Sequence, residues 1–315
     1  PHPWARADEL RPGYIEFSEQ TPGAWTLSWK RPYAQPPTEA ELKVIAQILH
    51  HESGIVIAAG KGSMVQSRLA KRLRALGLSQ YQPYIDLVQS EAGADERRQM
   101  ISALTTNVTH FFRENHHFET LRNEALPELL ARARAGGRVR IWSAGSSNGQ
   151  EAYSIAMTLA EAAPDLDKLD IRILATDIDP VMVARGAAGI YDAATVEAVP
   201  EALRKAYFSA KEGGFQIIER LRNLVTFREL NLHHPWPMKG RFDVIFCRNV
   251  VIYFDPQAEE MLWQRFEAAL APRGWIHVGH SERIPLERGR RLTTAGITTY
   301  RLPDEAATKG ESAWH

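Results

Sequence analysis

A single cysteine, Cys247, is all that the 315-residue chain offers for disulfide or thiolate chemistry. That excludes an intramolecular disulfide framework and a Cys-rich zinc site, and it fits a reducing compartment. Cys247 lies within an apolar strand pattern, where a small buried hydrophobe is a better reading than a nucleophile. Charge of one sign is lacking too. Lys plus Arg and Asp plus Glu number 38 each, so no global field draws the protein to nucleic acid or to an anionic membrane, and any basic surface is local. No apolar run approaches the ~20 residues that span a bilayer, and the opening PHPWARADEL lacks the charged and apolar parts of a signal peptide. The expectation is a cytoplasmic protein without membrane insertion. Absent as well are the dinucleotide spacing G-x-G-x-x-G, the P-loop Lys with Ser or Thr, and any internal repeat. The doublets His50-His51, His116-His117 and His233-His234 have no His-x-x-x-His partner, and neighbouring side chains on a helix or strand diverge, so no metal is expected.

What is present falls into three zones. Residues 1 to 37 hold seven of the 18 prolines and three of the eight tryptophans, with Trp25, Leu27 and Trp29 alternating as a short strand after TPGA; no function follows from them. From Thr38 to about Glu124 the pattern is helical. Thr38 and Glu41 stand in capping-box spacing ahead of Leu42, Ile45, Ile48 and Leu49 on one face. Val65, Leu69, Leu73 and Leu76 repeat the stripe, with Gly77 as the C-terminal cap. A further helical stretch, broken around Thr105 to Thr109, runs to Gly136-Gly137. Thereafter RVRIWSAG, DIRILATDID, NLVTFREL, RFDVIFCRN and GWIHVGHSE are short apolar runs separated by helix-like segments or turns, the rhythm of a doubly wound, mostly parallel sheet. RRLTTAGITTYRL lacks an intervening helix and is expected to close that sheet antiparallel.

The first of these runs ends in AGSSNG, Ala144 to Gly149, and then opens a helix with Gln150 and Glu151. Small side chains bring backbone N–H groups close to something flat or anionic. Asp177 ends the next run, 32 residues after Gly145, where a doubly wound fold presents a carboxylate to a ribose cis-diol. Asp177 and Asp179 also read as turn residues, with Asp179 as N-cap and Pro180 at the first helical position. Both readings hold if each aspartate takes one. Without a pyrophosphate fingerprint, the turn suits a nucleoside with a zwitterionic tail, as S-adenosylmethionine has.

The stretches TTNVTHFFRENHHF, WSAGSSNGQEAYSIAM, ILATDID, FRELNL, FDVIFCRNVVIYFD and GHSE occur together in the order and spacing of the CheR family of chemoreceptor glutamate methyltransferases, which the chain resembles from roughly Thr38 to Leu302. The resemblance implies an all-helical N-terminal domain (38–124), then an α/β, Rossmann-like class I methyltransferase domain (125–303) with a small β-subdomain at about 203–229, leaving 304–315 as a tail. It places Asn107, Thr109 and Arg113 against the cofactor, Gly145 and Glu151 in the turn, Asp177 on the ribose, Asn231 and Leu232 near the adenine, and Asn249 and Val250 on the floor. Arg113 and Tyr253 are the catalytic candidates. By periodicity alone Arg113 reads as a solvent-facing helix residue and Tyr253 as core with its hydroxyl at the rim. The chain departs from the family at SSNGQE, where many members have alanine or cysteine, then Ser-Thr-Gly and often two glutamates; Glu151 is kept and Gln150 replaces the first acid.

The implied activity is protein-glutamate O-methylation of chemoreceptor cytoplasmic domains, with S-adenosyl-L-homocysteine as the other product. The alternatives are a methyltransferase with another acceptor, or a non-catalytic cofactor-binding signalling module, for which the altered turn is the best argument. Lys61 to Arg74 holds five basic residues and no acid, with Arg68, Lys71 and Arg72 on one helical face. Charge spacing alone favours a solvated face, while the resemblance favours steering of an acidic receptor helix. The segment SAKEGGFQIIERLRNL has Gly213-Gly214 and no proline, whereas family members that dock on a receptor's C-terminal peptide carry a longer Gly- and Pro-bearing loop there. A tether-independent enzyme is expected.

Overall fold

The computed structural model describes residues 14–21, 24–30, 36–58, 60–287 and 289–304. Most of the proline-rich start and of the tail at 304–315 therefore lie outside the described residues. The chain divides into two compact units, one comprising residues up to Glu52 and Val56–Thr105, the other Ser53–Ile55 and the chain from Thr106.

In the first unit, strands β1 (Tyr14–Thr21) and β2 (Ala24–Lys30) pair antiparallel, and β2 coincides with the strand expected at Trp25 to Trp29. Four helices follow: α1 (Glu39–Ser53), α2 (Gly62–Ala75), α3 (Tyr81–Gln89) and α4 (Ala94–Leu104). The capping box forms as spaced: the Thr38 N–H donates to Glu41 Oε2 at 2.7 Å and the Glu41 N–H to Thr38 Oγ1 at 3.2 Å. Helix α2 ends on Gly77 at φ 71°, with the Leu78 N–H on the Leu73 carbonyl and the Gly77 N–H on that of Arg74, which satisfies two of its last carbonyls. Val65, Leu69 and Leu73 are buried, but Leu76 is the cap residue and is exposed.

The second unit opens with α5 (His116–Thr120), which runs through one wide turn, Leu121–Ala125, into α6 (Leu126–Arg134). Pro127 has no N–H to give, and the ladder just before it is i to i−5, from Leu126 to Leu121. The rest is strand β3 (Val139–Ala144), helix α7 (Gln150–Ala162), β4 (Ile171–Asp177), α8 (Pro180–Ala188), β5 (Ile190–Tyr191), α9 (Ala193–Glu197), α10 (Glu201–Tyr207), β6 (Phe208–Lys211), β7 (Gly214–Ile217), α11 (Glu219–Arg222), β8 (Val225–Glu229), β9 (Phe242–Cys247), α12 (Pro256–Ala269), β10 (Leu270–Val278), β11 (Thr293–Gly296) and β12 (Thr299–Arg301). Seven strands make one sheet in the order β11-β12-β10-β9-β3-β4-β8, parallel from β10 to β8 and closed antiparallel by β12 as expected.

Strand alternation splits the apolar side chains between two cores. Val139 and Ile141 of β3 join one with α7, while Trp142 and Ala144 join the other with Leu262, Trp263 and Phe266 of α12. The chain leaves β3 toward β4 on one side and later returns to β9 on the other. The crevice beyond the carboxyl end of β3 is therefore the place where this architecture takes a ligand.

Two expected boundaries move. The small antiparallel sheet, β5-β7-β6, spans Ile190 to Ile217, whereas Val225–Glu229, expected in the subdomain at 203–229, is the outer parallel strand of the large sheet. Val225 and Phe227 belong to the large core, with Phe227 lying where Gly186 lacks a side chain, a packing that no local pattern reports. Likewise the stretch after Thr105, expected to close the helical domain at 124, belongs to the second unit, because Phe111, Phe118, Leu121 and Ala125 are buried in its core.

Candidate functional site

The turn after β3 is built from backbone that only particular residues tolerate. Gly145 sits at φ 80°, and a Cβ there would lie 2.3 Å from Val250 Cγ2, so glycine alone lets the turn meet the β9 loop. The N–H groups of Gly145 and Ser146 both reach the Thr176 carbonyl, each at 2.8 Å. Gly149, at φ 90°, is the N-cap of α7. At the end of β4, Asp177 is 7% exposed and accepts the Ser147 N–H on Oδ2 at 2.7 Å and the Asp179 N–H on Oδ1 at 2.9 Å. Burial pushes its carboxyl up to about 6, with those two N–H groups pulling the other way. Asp179 caps α8 through Val181 N, so the N-cap role falls to Asp179.

Sequence-distant candidates converge here. Asn107 donates through Nδ2 to Asp179 Oδ2 at 2.8 Å and accepts the Ser147 hydroxyl on its carbonyl at 3.1 Å. Thr109 follows it, half-buried. The Leu230 N–H donates to the Asp177 carbonyl at 2.9 Å, which brings Asn231 and Leu232 beside the same strand end. Leu232 is buried, and Asn231 Oδ1 accepts the His233 N–H. Asn249, at φ 59°, and Val250 follow β9, and Tyr253 ends the 3-10 turn Val251–Tyr253, half-buried.

Beside the turn runs a row of charges that sequence reasoning missed. Arg248, 6% exposed, places Nη1 3.2 Å from Glu151 Oε2 and Nη2 3.3 Å from Glu114 Oε2, and it also donates to the Arg113 carbonyl. Glu151 accepts the Ser143 hydroxyl at 2.7 Å, and Glu114 faces His280 Nδ1 at 3.1 Å. The two carboxyls titrate in opposite directions. Burial raises Glu151 despite Arg248 and Ser143. Burial is also the largest influence on Glu114, but Arg248 and His280 together outweigh it and hold it at about 2. A charged residue directly after the apolar run VIFC, Val244 to Cys247, was the available signal for Arg248, since ligand-facing groups stand at the carboxyl ends of parallel strands.

Other expectations are corrected. Arg113 is not on a helix: Phe112 and Glu114 flank it at φ 53° and 54°, and its Nη1 donates to the Val108 carbonyl at 2.9 Å. The basic face of α2 is not three free cations. Arg72 pairs bidentately with Glu96, which is 9% exposed and also bonded by Tyr84, while Arg68 holds the Leu104 and Thr105 carbonyls, each at 2.7 Å. Lys71 is exposed. The rings of His116 and His117 do not diverge; their centroids are 4.1 Å apart, and with Glu114 they bring three ligand-type atoms within 4.8 Å. The Arg248 guanidinium, 3.3 Å from Glu114 Oε2, already supplies the positive charge there.

Buried polar atoms without a hydrogen-bond partner include several on these same elements: Ser146 Oγ, Asn148 Oδ1, Gln150 Oε1 and Arg248 Nε. Such atoms are costly unless a ligand or water serves them. With the buried Asp177 carboxyl at the end of β4, this set fits a nucleoside carrying an amino acid tail.

Comparison with known proteins agrees with that chemistry. Residues 107–301 match the family described as CheR methyltransferase, SAM binding domain, and residues 40–105 match CheR methyltransferase, all-alpha domain. The chain is 53% identical to a probable chemotaxis protein methyltransferase of Rhizobium etli over 84% of this chain and 98% of that protein. It is 39% identical to the chemotaxis protein methyltransferase of Escherichia coli K12 over 84% and 91%, and 38% identical to chemotaxis protein methyltransferase 2 of Pseudomonas aeruginosa over 84% and 93%.

Proposed function

We propose, on the premise that the chain belongs to the CheR methyltransferase family, that this S-adenosylmethionine-dependent enzyme of chemotaxis methylates glutamate side chains of chemoreceptor cytoplasmic domains. The observation that carries the reading is the buried Asp177 carboxylate bonded to the backbone of the Gly145–Gly149 turn, beside the Glu151–Arg248–Glu114 row. Asp177 takes the ribose hydroxyls, Asn231 and Leu232 border the adenine, and Asn107 and Thr109 close the rim. Glu151 faces the ammonium of the tail. Arg248 keeps it oriented and offsets part of the cost of burying its charge, and Arg113 offers its fork to a carboxylate.

Bound S-adenosylmethionine supplies an electrophilic methyl group on a sulfonium. A glutamate side chain has a reference pKa of ~4.3 and is already the nucleophile at neutral pH, so no general base is needed. What remains for the protein is alignment: Asn249 and Val250 form the floor, and the Tyr253 hydroxyl orients the attacking oxygen. The carboxylate oxygen would gain the methyl as the methyl–sulfur bond breaks, leaving a glutamate methyl ester and the thioether S-adenosylhomocysteine.

The exposed Lys71 on α2 steers acidic receptor helices, and the enzyme acts in the cytoplasm, where those helices lie. Among the described residues no helix is long and apolar enough to cross a membrane. The hairpin of β6 and β7 turns at Glu212-Gly213 with strands of four residues each, a short edge for an added peptide strand, which supports action without a C-terminal tether. The test is transfer of a labelled methyl group to receptor cytoplasmic fragments. Protein-borne, base-labile label is expected. Label on a small molecule or nucleic acid, or none with cofactor bound, would overturn the acceptor assignment.

A further inference from the structure

Glu282 closes the GHSE stretch after β10, is buried, and has no part in the chemistry above. Its carboxylate accepts five backbone N–H groups. Oε1 takes those of Val250 and Val251 at 2.8 Å and Ile252 at 3.4 Å, and Oε2 takes those of Gly279 at 2.6 Å and Asn249 at 2.8 Å. Four of the five belong to the single turn that leaves β9. Strand pairing has ended at Cys247 and the 3-10 turn starts at Val251, so these amides precede or open a helical turn and have no ladder partner. A carboxylate, acceptor on both oxygens, is the side chain able to serve them together.

The turn is also strained and crowded. Asn249 holds a left-handed φ of 59°, a conformation that a non-glycine residue keeps only where its surroundings impose it. Val250 stands where Gly145 has no Cβ. On the far side, a Cβ on Gly279 would lie 2.5 Å from Asn249 Nδ2, 2.6 Å from Asn249 N and 2.8 Å from Glu282 Oε2, so only glycine lets the three meet.

We propose that Glu282 is a positioning residue of the methyl transfer: it holds the Asn249–Tyr253 turn, and through that turn one buried group sets both the cofactor floor and the acceptor-facing tyrosine. The inference rests on the roles given above to Asn249, Val250 and Tyr253. Glu282→Gln tests it at nearly constant volume, because one oxygen still accepts while the amide NH2 meets the other set of N–H donors head-on. Folded Glu282→Gln protein is expected to show faster hydrogen exchange at amides 249–252 and at least a tenfold lower kcat, with a smaller rise in cofactor KM. Glu282→Asp, which keeps the charge, recovers part of the rate. Gly279→Ala, which displaces the same turn from the other side, reproduces the exchange and kcat signature and carries the test if Glu282→Gln does not fold. Parent-like exchange and kcat in folded Glu282→Gln, together with a rate loss in Tyr253→Phe, would overturn the inference while leaving the site standing. A parent-like rate in Tyr253→Phe would instead remove the role given to Tyr253, and accelerated exchange in Glu282→Gln would still support the hold on the turn.

Discussion

Replacing Asp177 separates cofactor binding from fold. Its carboxylate accepts two backbone N–H groups and is 7% exposed, so Asp177→Ala removes the proposed ribose acceptor and strands the Ser147 and Asp179 amides at once. Loss of a charged partner for the diol costs about 1.5–3 kcal/mol, a ten- to hundredfold weaker complex with S-adenosylhomocysteine. Each stranded amide adds about 1–3 kcal/mol of instability. Asp177→Asn keeps the volume and removes the titration, although its amide NH2 meets one of those two N–H groups head-on. In the parent the carboxyl titrates at about 6, above the usual ~3.9. The protonated form therefore favours the fold: that contribution is complete below about pH 4 and is lost, by roughly 3 kcal/mol, as pH rises through about 6. Cofactor binding runs the other way, because the ionised form accepts the diol. Calorimetric affinity for S-adenosylhomocysteine is expected to fall about tenfold per unit below pH 6 in the parent. In Asp177→Asn the step near pH 6 is expected to be lost, leaving any contribution from Glu151, which burial also raises. Unchanged affinity in folded Asp177→Ala, or the same step in Asp177→Asn, would refute the placement of the ribose.

Arg248→Met leaves Glu114 and Glu151 buried without their cation and should lower stability by about 3–5 kcal/mol, read as a fall in denaturant midpoint. Arg72→Ala strips Glu96 of its partner and should destabilise the helical unit by roughly 1–3 kcal/mol, whereas Lys71→Glu should leave thermal stability within about 0.5 kcal/mol and slow receptor methylation in a salt-dependent way. Gly145→Ala sets a Cβ 2.3 Å from Val250 Cγ2 and should weaken cofactor binding at least tenfold, with Val250→Ala in the same chain restoring part of it by calorimetry. Titration with receptor C-terminal peptides should show no binding tighter than about millimolar, near 4 kcal/mol; a micromolar complex lost on altering Gly213-Gly214 would reverse the tether reading.

Features governed by neighbours three or four residues apart were legible in the sequence. Thr38 with Glu41, Gly77 after α2, and Asp179 ahead of Pro180 form the caps their spacing implies, because the donor and acceptor are tied by the local chain. The alternation of apolar runs with helical segments likewise determined the doubly wound sheet, and with it the location of Gly145 and Asp177 at adjacent strand ends. What only the tertiary structure decided is which charges are consumed and which are offered. Arg72 and Arg68 look like Lys71 on a helical wheel, yet their partners, Glu96 and the end of α4, lie 24 or more residues away. Arg248 meets Glu151 across 97 residues and Glu114 across 134 (248 − 114), and Glu282 serves amides some 30 residues upstream. Periodicity and capping are short-range and leave a pattern in the sequence. The pairing of a buried charge depends on which surfaces exclude water once the sheet has closed, and no local spacing encodes that.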